Sequence, residues 1–135
     1  MRIVLDTNSL LQCVGRHSVY RDVWLSILNG QNTLCVSNEI LLEYEEILKR
    51  FFNPVFAETV INTLMESGFI ELINPTYRFN LITADPDDNK FVDCAIQANA
   101  RYIVTNDHHY DELRRIDFPK VGIIKLMDFL LMIHG

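Results

Sequence analysis

The sequence Ile-Val-Leu-Asp-Thr-Asn occupies residues 3–8, where a short apolar run ends at an acid. Further short apolar runs follow along the chain, and several are continuous and rich in Val and Ile. Runs of this kind are typical of strands that are covered on both faces, whereas half-exposed strands alternate apolar and polar residues. We therefore predict five strands, at residues 3–5, 34–36, 69–73, 102–104 and 121–124.

Between these strands, apolar residues recur at helical spacing within residues 19–28, 40–51, 60–65 and 91–96. Phe51 closes the second of these buried stripes. Ser37 or Asn38 is expected to cap that helix, and the Asn-Pro pair at 53–54 to end it. Alternating strands and helices predict a parallel sheet with helices on both faces. With no linker in 135 residues, we expect a single domain spanning residues 1–135.

Composition points to a cytoplasmic protein. Cys13, Cys35 and Cys94 are odd in number, far apart and set among apolar residues, as expected for buried thiols in a reducing compartment. No secretory signal is recognisable, and no apolar run approaches the roughly 20 residues that cross a bilayer. We therefore expect no membrane association.

Two acids directly follow predicted strands. Asp6 comes after the first strand, and Asp107 comes shortly after the fourth. Ligands of such sheets bind outside the carboxyl ends of the strands, although an acid there can equally cap a helix. A third acid, Glu43, lies at the boundary of the second apolar stripe. It can face a cleft, or it can be a solvated helix residue like Glu46, which can pair with Arg50.

An acid cluster starts the fourth helix. Asp85 is expected to be the N-cap, Pro86 the first helical residue, and Asp87 and Asp88 first-turn acids that the helix dipole favours. Asp93, further along, either lines the same cleft or faces water.

Four of these carboxylates, Asp6, Glu43, Asp88 and Asp107, could converge on one crevice. Packed together they would repel one another, and a divalent cation would remove that cost. Oxygen ligands favour Mg²⁺ or Mn²⁺, which can activate water against a phosphodiester. The formal net charge of −6 does not exclude nucleic acid, because 18 acids less these four leaves 14 against 12 bases.

Four segments of the chain resemble the PIN-domain family, and they occur in the family's order. The resemblance implies a three-layer α/β/α doubly wound sheet and Mg²⁺- or Mn²⁺-dependent ribonuclease activity. It also implies a frequent homodimer and, for the VapC-like group, pairing with an antitoxin. The family's four acids fall on Asp6, Glu43, Asp88 and Asp107, and its small polar residues beside the metal fall on Asn8 and Thr105. The segments are residues 3–8 (IVLDTN), 37–44 (SNEILLEY), 85–91 (DPDDNKF) and 102–107 (YIVTND).

From these observations we predict five parallel strands in the order 3-2-1-4-5, with Asp6 and Asp107 at adjacent carboxyl ends. The third acid is the least constrained of the four, since Asp85, Asp87 and Asp93 lie near Asp88. For contact with RNA we propose Asn8, Thr105 and Lys90, of which Lys90 is the best-placed cation, two residues after Asp88.

Two other functions fit part of the pattern. A phosphoryl-accepting receiver domain also carries acids after its first strand and a lysine near its fifth, where Lys125 stands. It needs an aspartate at the end of its third strand, however, and residues 69–74 (FIELIN) supply none. A PIN-like module that binds RNA or protein without cutting it is the second alternative. His108 and His109 are adjacent and would point apart in a helix, so a metal-binding pair is not expected.

Overall fold

The computed structural model describes all 135 residues, which build one five-stranded sheet in the order β3-β2-β1-β4-β5. Every neighbouring pair of strands is parallel. The predicted doubly wound fold and strand order are therefore confirmed. The strands are β1 (Arg2–Leu5), β2 (Thr33–Val36), β3 (Ile70–Leu72), β4 (Tyr102–Val104) and β5 (Ile123–Ile124).

Six α-helices and two 3-10 helices surround this sheet. The two 3-10 helices cover Pro86–Asp88 and His108–Arg115. None of the helices is both long and apolar enough to cross a bilayer. The α-helices are α1 (Thr7–Val14), α2 (Arg21–Leu28), α3 (Asn38–Phe51), α4 (Pro54–Ser67), α5 (Asn89–Ala98) and α6 (Leu126–His134).

Capping residues set the bounds of α3 and α4. The Ser37 hydroxyl accepts a hydrogen bond from the Ile40 N–H at 3.2 Å, so Ser37 rather than Asn38 caps α3. Asn53 caps α4, with Pro54 as its first residue, and Gly68 ends it at a φ of 79°. Glycine adopts this left-handed conformation without steric cost.

The core lies on both faces of the central strands, where Ile3, Val4 and Leu5 of β1 are fully buried. The Tyr44 hydroxyl donates a hydrogen bond to the Leu5 carbonyl at 2.6 Å, which fixes α3 against β1. One stripe prediction was wrong at its end: Phe51 is 67% exposed, because it lies in the last turn of α3 and faces an open crevice.

The irregular segment between β3 and the first 3-10 helix is held by side chains rather than by secondary structure. Asp93 accepts a hydrogen bond from the Phe79 N–H at 3.1 Å, and Asn89 bonds both to the N–H and to the carbonyl of Ile82 at 2.9 Å. Asp93 is buried, and burial raises its pKa. Both expectations for Asp93 were therefore wrong: it does not face water, and it does not line the cleft with the other acids. Its position indicates a role in anchoring this segment.

Candidate metal centre

Strand pairing brings Asp6 and Asp107 to the same edge of the sheet. Leu5 lies opposite Val104 in the β1–β4 register, and the Asp6 N–H donates to the Val104 carbonyl at 3.3 Å. Both acids also cap helices. Asp6 Oδ1 accepts from the Ser9 N–H at 2.8 Å, and Asp107 Oδ1 accepts from the His109 N–H at 2.9 Å. Capping and a place in the site are therefore compatible at these two positions.

Thr105 forms hydrogen bonds to both of these residues. Its hydroxyl donates a hydrogen bond to Asp6 Oδ2 and accepts one from the Asp107 N–H at 3.0 Å. The side chain is 2% exposed, so it is buried beneath the acids and does not line the open crevice. Thr105 thus fixes the position of one carboxylate and of the backbone that carries the other.

Glu43 reaches the site from α3, where it is held by two neighbours. The Thr7 hydroxyl donates to Oε2, and Lys90 Nζ lies 2.9 Å from Oε1. Lys90 also lies 2.8 Å from Asp87 Oδ1, and only 12% of its side chain is exposed. The ammonium group that was predicted to contact RNA is therefore already paired with two carboxylates of this chain.

Asp88 ends the first 3-10 helix and points into the same region. Burial, followed by the nearby carboxylates of Asp85, Asp107 and Asp6, raises the pKa of its carboxyl to about 7. Its Oδ2 atom is buried and has no hydrogen-bond partner. Asp85 instead accepts a hydrogen bond from the Asp87 N–H at 3.2 Å, as expected for an N-cap.

These side chains meet in one crevice of about 200 Å³ at the carboxyl ends of β1 and β4. The four acids proposed from the sequence, Asp6, Glu43, Asp88 and Asp107, all line it. Of the three residues proposed for substrate contact, Asn8 lines it, while Lys90 and Thr105 do not. The other lining residues are Thr7, Ile47, Phe51 and Phe91.

A family model described as the PIN domain matches residues 2–109, most of the chain. The protein belongs to the PIN-domain family. Membership rules out the receiver alternative and agrees with the four motif segments found in the sequence.

Solved structures support the fold of this PIN domain. VapBC2 from Rickettsia felis, in a structure bound to a promoter DNA fragment, matches with a TM-score of 0.64 at 19% identity, covering 93% of this chain and 98% of that one. VapBC-1 from nontypeable Haemophilus influenzae gives 0.65 at 15% identity, with 94% and 99% covered. The PIN-domain endonuclease Utp24 gives 0.55 at 16% identity, with 92% and 84% covered. No curated protein matches the sequence significantly.

His109 places a ring nitrogen beside these acids, which was not expected from the sequence of this PIN domain. Its Nδ1 lies 3.3 Å from Asp107 Oδ1 and 4.0 Å from Asp88 Oδ2. Ligand atoms of Asp85, Asp88 and His109 all lie within 4.8 Å of one another. From the sequence, His108 and His109 were considered only as a pair, so His109 was not considered alone. The signal for its position is that His109 lies in the turn that Asp107 caps.

The residues present fit a divalent cation. Asp88 Oδ2 and His109 Nδ1 are both buried without a hydrogen-bond partner, and both atoms can act as metal ligands. Burial also raises the pKa of Asp6, even though Thr105 and Ser9 donate hydrogen bonds to it. Such a concentration of negative charge is costly in the absence of a compensating cation.

Proposed function

We propose that this PIN domain is a divalent-metal-dependent endoribonuclease that hydrolyses phosphodiester bonds of single-stranded RNA. The observation that carries the proposal is the convergence of Asp6, Glu43, Asp88 and Asp107 on one crevice. Family membership supports a nuclease, and the structurally similar Utp24 is a PIN-domain endonuclease.

The four carboxylates would hold Mg²⁺ or Mn²⁺. When bound, such an ion supplies an activated water and stabilises the developing negative charge on a phosphodiester. Thr105 orients Asp6, and Lys90 and Thr7 orient Glu43. These contacts restrict the rotamers of ligands that would otherwise repel one another.

The Asp88 carboxyl also binds and releases a proton near neutral pH. With a pKa of about 7, its carboxyl holds a proton part of the time at neutral pH when no cation is present. Binding of a cation requires the ionised form, so loading the site releases this proton. Metal affinity should therefore increase as the pH rises from 6 to 8.

The activity is tested by cleavage of single-stranded RNA by purified protein in Mg²⁺ or Mn²⁺, with EDTA as the metal-free control. Asp6→Asn and Glu43→Gln should abolish cleavage, because each keeps the shape of the side chain but removes a ligand charge. Glu46→Gln, on the exposed face of α3, and Asp93→Asn, in the anchoring contact, should retain it.

Three results would count against the proposal. Cleavage that persists in EDTA would exclude the metal mechanism. RNA binding without cleavage in any divalent metal would favour the non-catalytic PIN-like module. Equal losses from Glu43→Gln and Glu46→Gln would indicate damage to α3 rather than loss of a ligand.

We further propose that the protein is the toxin of a toxin–antitoxin pair and forms a homodimer. Similarity to the structures of VapBC2 and VapBC-1 supports an antitoxin partner. The test is co-expression with the product of an adjacent small reading frame, followed by co-purification and assay of inhibited cleavage. Sedimentation of the free protein measures the oligomeric state, and a monomer at micromolar concentration would contradict the dimer.

A further inference from the structure

A second pocket, of about 340 Å³, opens directly beside the carboxylate crevice. We call it the side pocket. It shares Asp6, Asn8, Phe51 and Asp107 with the crevice, so the two form one continuous depression. Its remaining lining residues are Leu11, Gln12 and Asn106.

One face of α1 and the end of α3 form part of its walls. On α1, Asn8, Leu11 and Gln12 are separated by three and four residues, which places them on one face. On α3, Ile47 and Phe51 are likewise four residues apart, and Glu43 lies one further turn back. The α3 face therefore runs from a carboxylate in the crevice to an aromatic ring at the side pocket.

Phe51 is a large apolar residue that is exposed to solvent. Its side chain is 67% exposed, although it borders both the crevice and the side pocket. The next residue, Phe52, behaves differently: its ring packs against Phe56 with centroids 4.6 Å apart, and it lines neither pocket. Phe51 thus offers an open aromatic surface next to the acids, while Phe52 serves packing between α3 and α4.

Amide groups supply the polar part of the side pocket. Asn106 Oδ1 accepts a hydrogen bond from the Leu126 N–H at 3.0 Å, which fixes the orientation of the amide and leaves its NH₂ group free to donate. The exposed Gln12 amide carries both a donor and an acceptor. Amide donors and acceptors of this kind form hydrogen bonds with the edges of nucleobases.

The charge of the side pocket selects among possible occupants. Its lining contains two carboxylates, Asp6 and Asp107, and no lysine or arginine. Both carboxylates are shared with the crevice, so the side pocket itself offers no cationic side chain to a phosphate group, whereas an uncharged planar base needs none. Single-stranded nucleic acids are commonly held by stacking of bases on aromatic side chains beside the phosphate path.

We propose that the side pocket binds one nucleobase of the RNA strand, adjacent to the phosphate held at the carboxylate crevice. Phe51 stacks on the base, and Asn106 and Gln12 contact its edge. This inference rests on the proposed function, because it takes the crevice to be the place of the scissile phosphate. It makes the side pocket the determinant of which nucleotide lies next to the cut.

The test measures affinity rather than turnover. Fluorescence anisotropy is recorded for labelled eight-nucleotide single-stranded RNAs, in which one abasic site is moved along the strand. Ca²⁺ replaces Mn²⁺, and gels verify that no strand is cut. We expect the abasic site to weaken binding about tenfold at one position and little elsewhere, as loss of one stacked base does.

Variants assign this effect to the side pocket. Phe51→Ala should bind the intact strand about tenfold more weakly and should no longer distinguish the abasic strand. Phe51→Trp should restore the discrimination, and Phe52→Ala is the matched control that should retain it. Asn106→Asp keeps the acceptor for the Leu126 N–H but loses the NH₂ donor, so it should change which base is preferred at the sensitive position.

The outcomes separate this inference from the proposed function. Cleavage in Mn²⁺ without any position-specific abasic effect would overturn the side pocket and leave the nuclease standing. A Phe51-dependent abasic effect without cleavage would support the side pocket and remove the nuclease. Unchanged RNA affinity in Phe51→Ala together with weaker binding of an antitoxin protein would overturn the inference and show that a protein side chain occupies the pocket.

Discussion

Replacing Asp88 with asparagine should stabilise the metal-free protein at pH 8. Surrounding groups raise the Asp88 pKa from its ordinary value of 3.8 to about 7. At 1.36 kcal/mol per pKa unit, ionising this carboxyl in the folded protein costs about 4 kcal/mol. Because Asp88 is partly open to solvent and titrates together with neighbouring acids, about half of that is a realistic gain, roughly 2 kcal/mol.

The sign follows from proton binding. Between pH 4 and pH 7 the folded protein holds a proton on Asp88 that the unfolded chain has released, so stability falls as the pH rises through this window. The penalty is absent below about pH 4 and complete above pH 7. Asp88→Asn removes it, so the gain should be complete at pH 8 and should vanish towards pH 4.

Thermal melts in EDTA at pH 5, 6, 7 and 8 measure this effect, and about 2 kcal/mol corresponds to roughly 6 °C for a domain of this size. Asp87→Asn is the matched control in the same turn. Lys90 lowers the pKa of Asp87, so replacing the Asp87 carboxylate should not stabilise the protein. Added Mn²⁺ should raise the melting temperature of the wild type more than that of Asp88→Asn. A gain that is the same at every pH, or absent at pH 8, would refute the reasoning.

Two further substitutions test the groups that hold the acids. Lys90→Met should destabilise the protein in EDTA by about 1–3 kcal/mol, because Glu43 loses a largely buried partner. Lys49→Met breaks a half-exposed ion pair and should cost under about 0.5 kcal/mol. Equal losses of stability in urea unfolding of the two variants would contradict this prediction. Thr105→Val should cost about 1–3 kcal/mol and weaken Mn²⁺ binding about 10- to 100-fold, because Asp6 and the Asp107 N–H both lose their partner. Calorimetric titration with Mn²⁺ measures the second effect, and an unchanged affinity would show that Thr105 is only a packing residue.

Strand positions were predictable because buried parallel strands consist of continuous apolar runs in the sequence. The run at residues 102–104 coincides with β4, and the run at 34–36 lies within β2. Two helices, α1 and α6, were not predicted. In α1 the buried face includes Thr7 and Ser9, so its apolar repeat is reduced to a few positions and gives little periodic signal.

Local pattern was least informative where a side chain has a distant partner. Asp93 sits at a helical position that suggests a cleft or solvent, yet it binds the Phe79 N–H, fourteen residues away in a segment with no regular structure. Lys90 looked like a free cation because its pairing with Glu43 depends on how α3 and α5 pack. Phe51 continued an apolar stripe, but the sequence does not say where the core below a helix ends.

The double duty of Asp6 and Asp107 as helix caps restricts how this protein could diverge. Each carboxylate holds the first turn of the helix that follows it. Alanine at either position would remove the cap as well as the charge, at a cost of about 1 kcal/mol of stability. Asparagine or serine would preserve the cap. Descendants that lose catalysis but keep the fold should therefore carry Asn or Ser at these two positions. A polar capping residue in place of each acid would then identify an inactive paralogue whose fold has been retained.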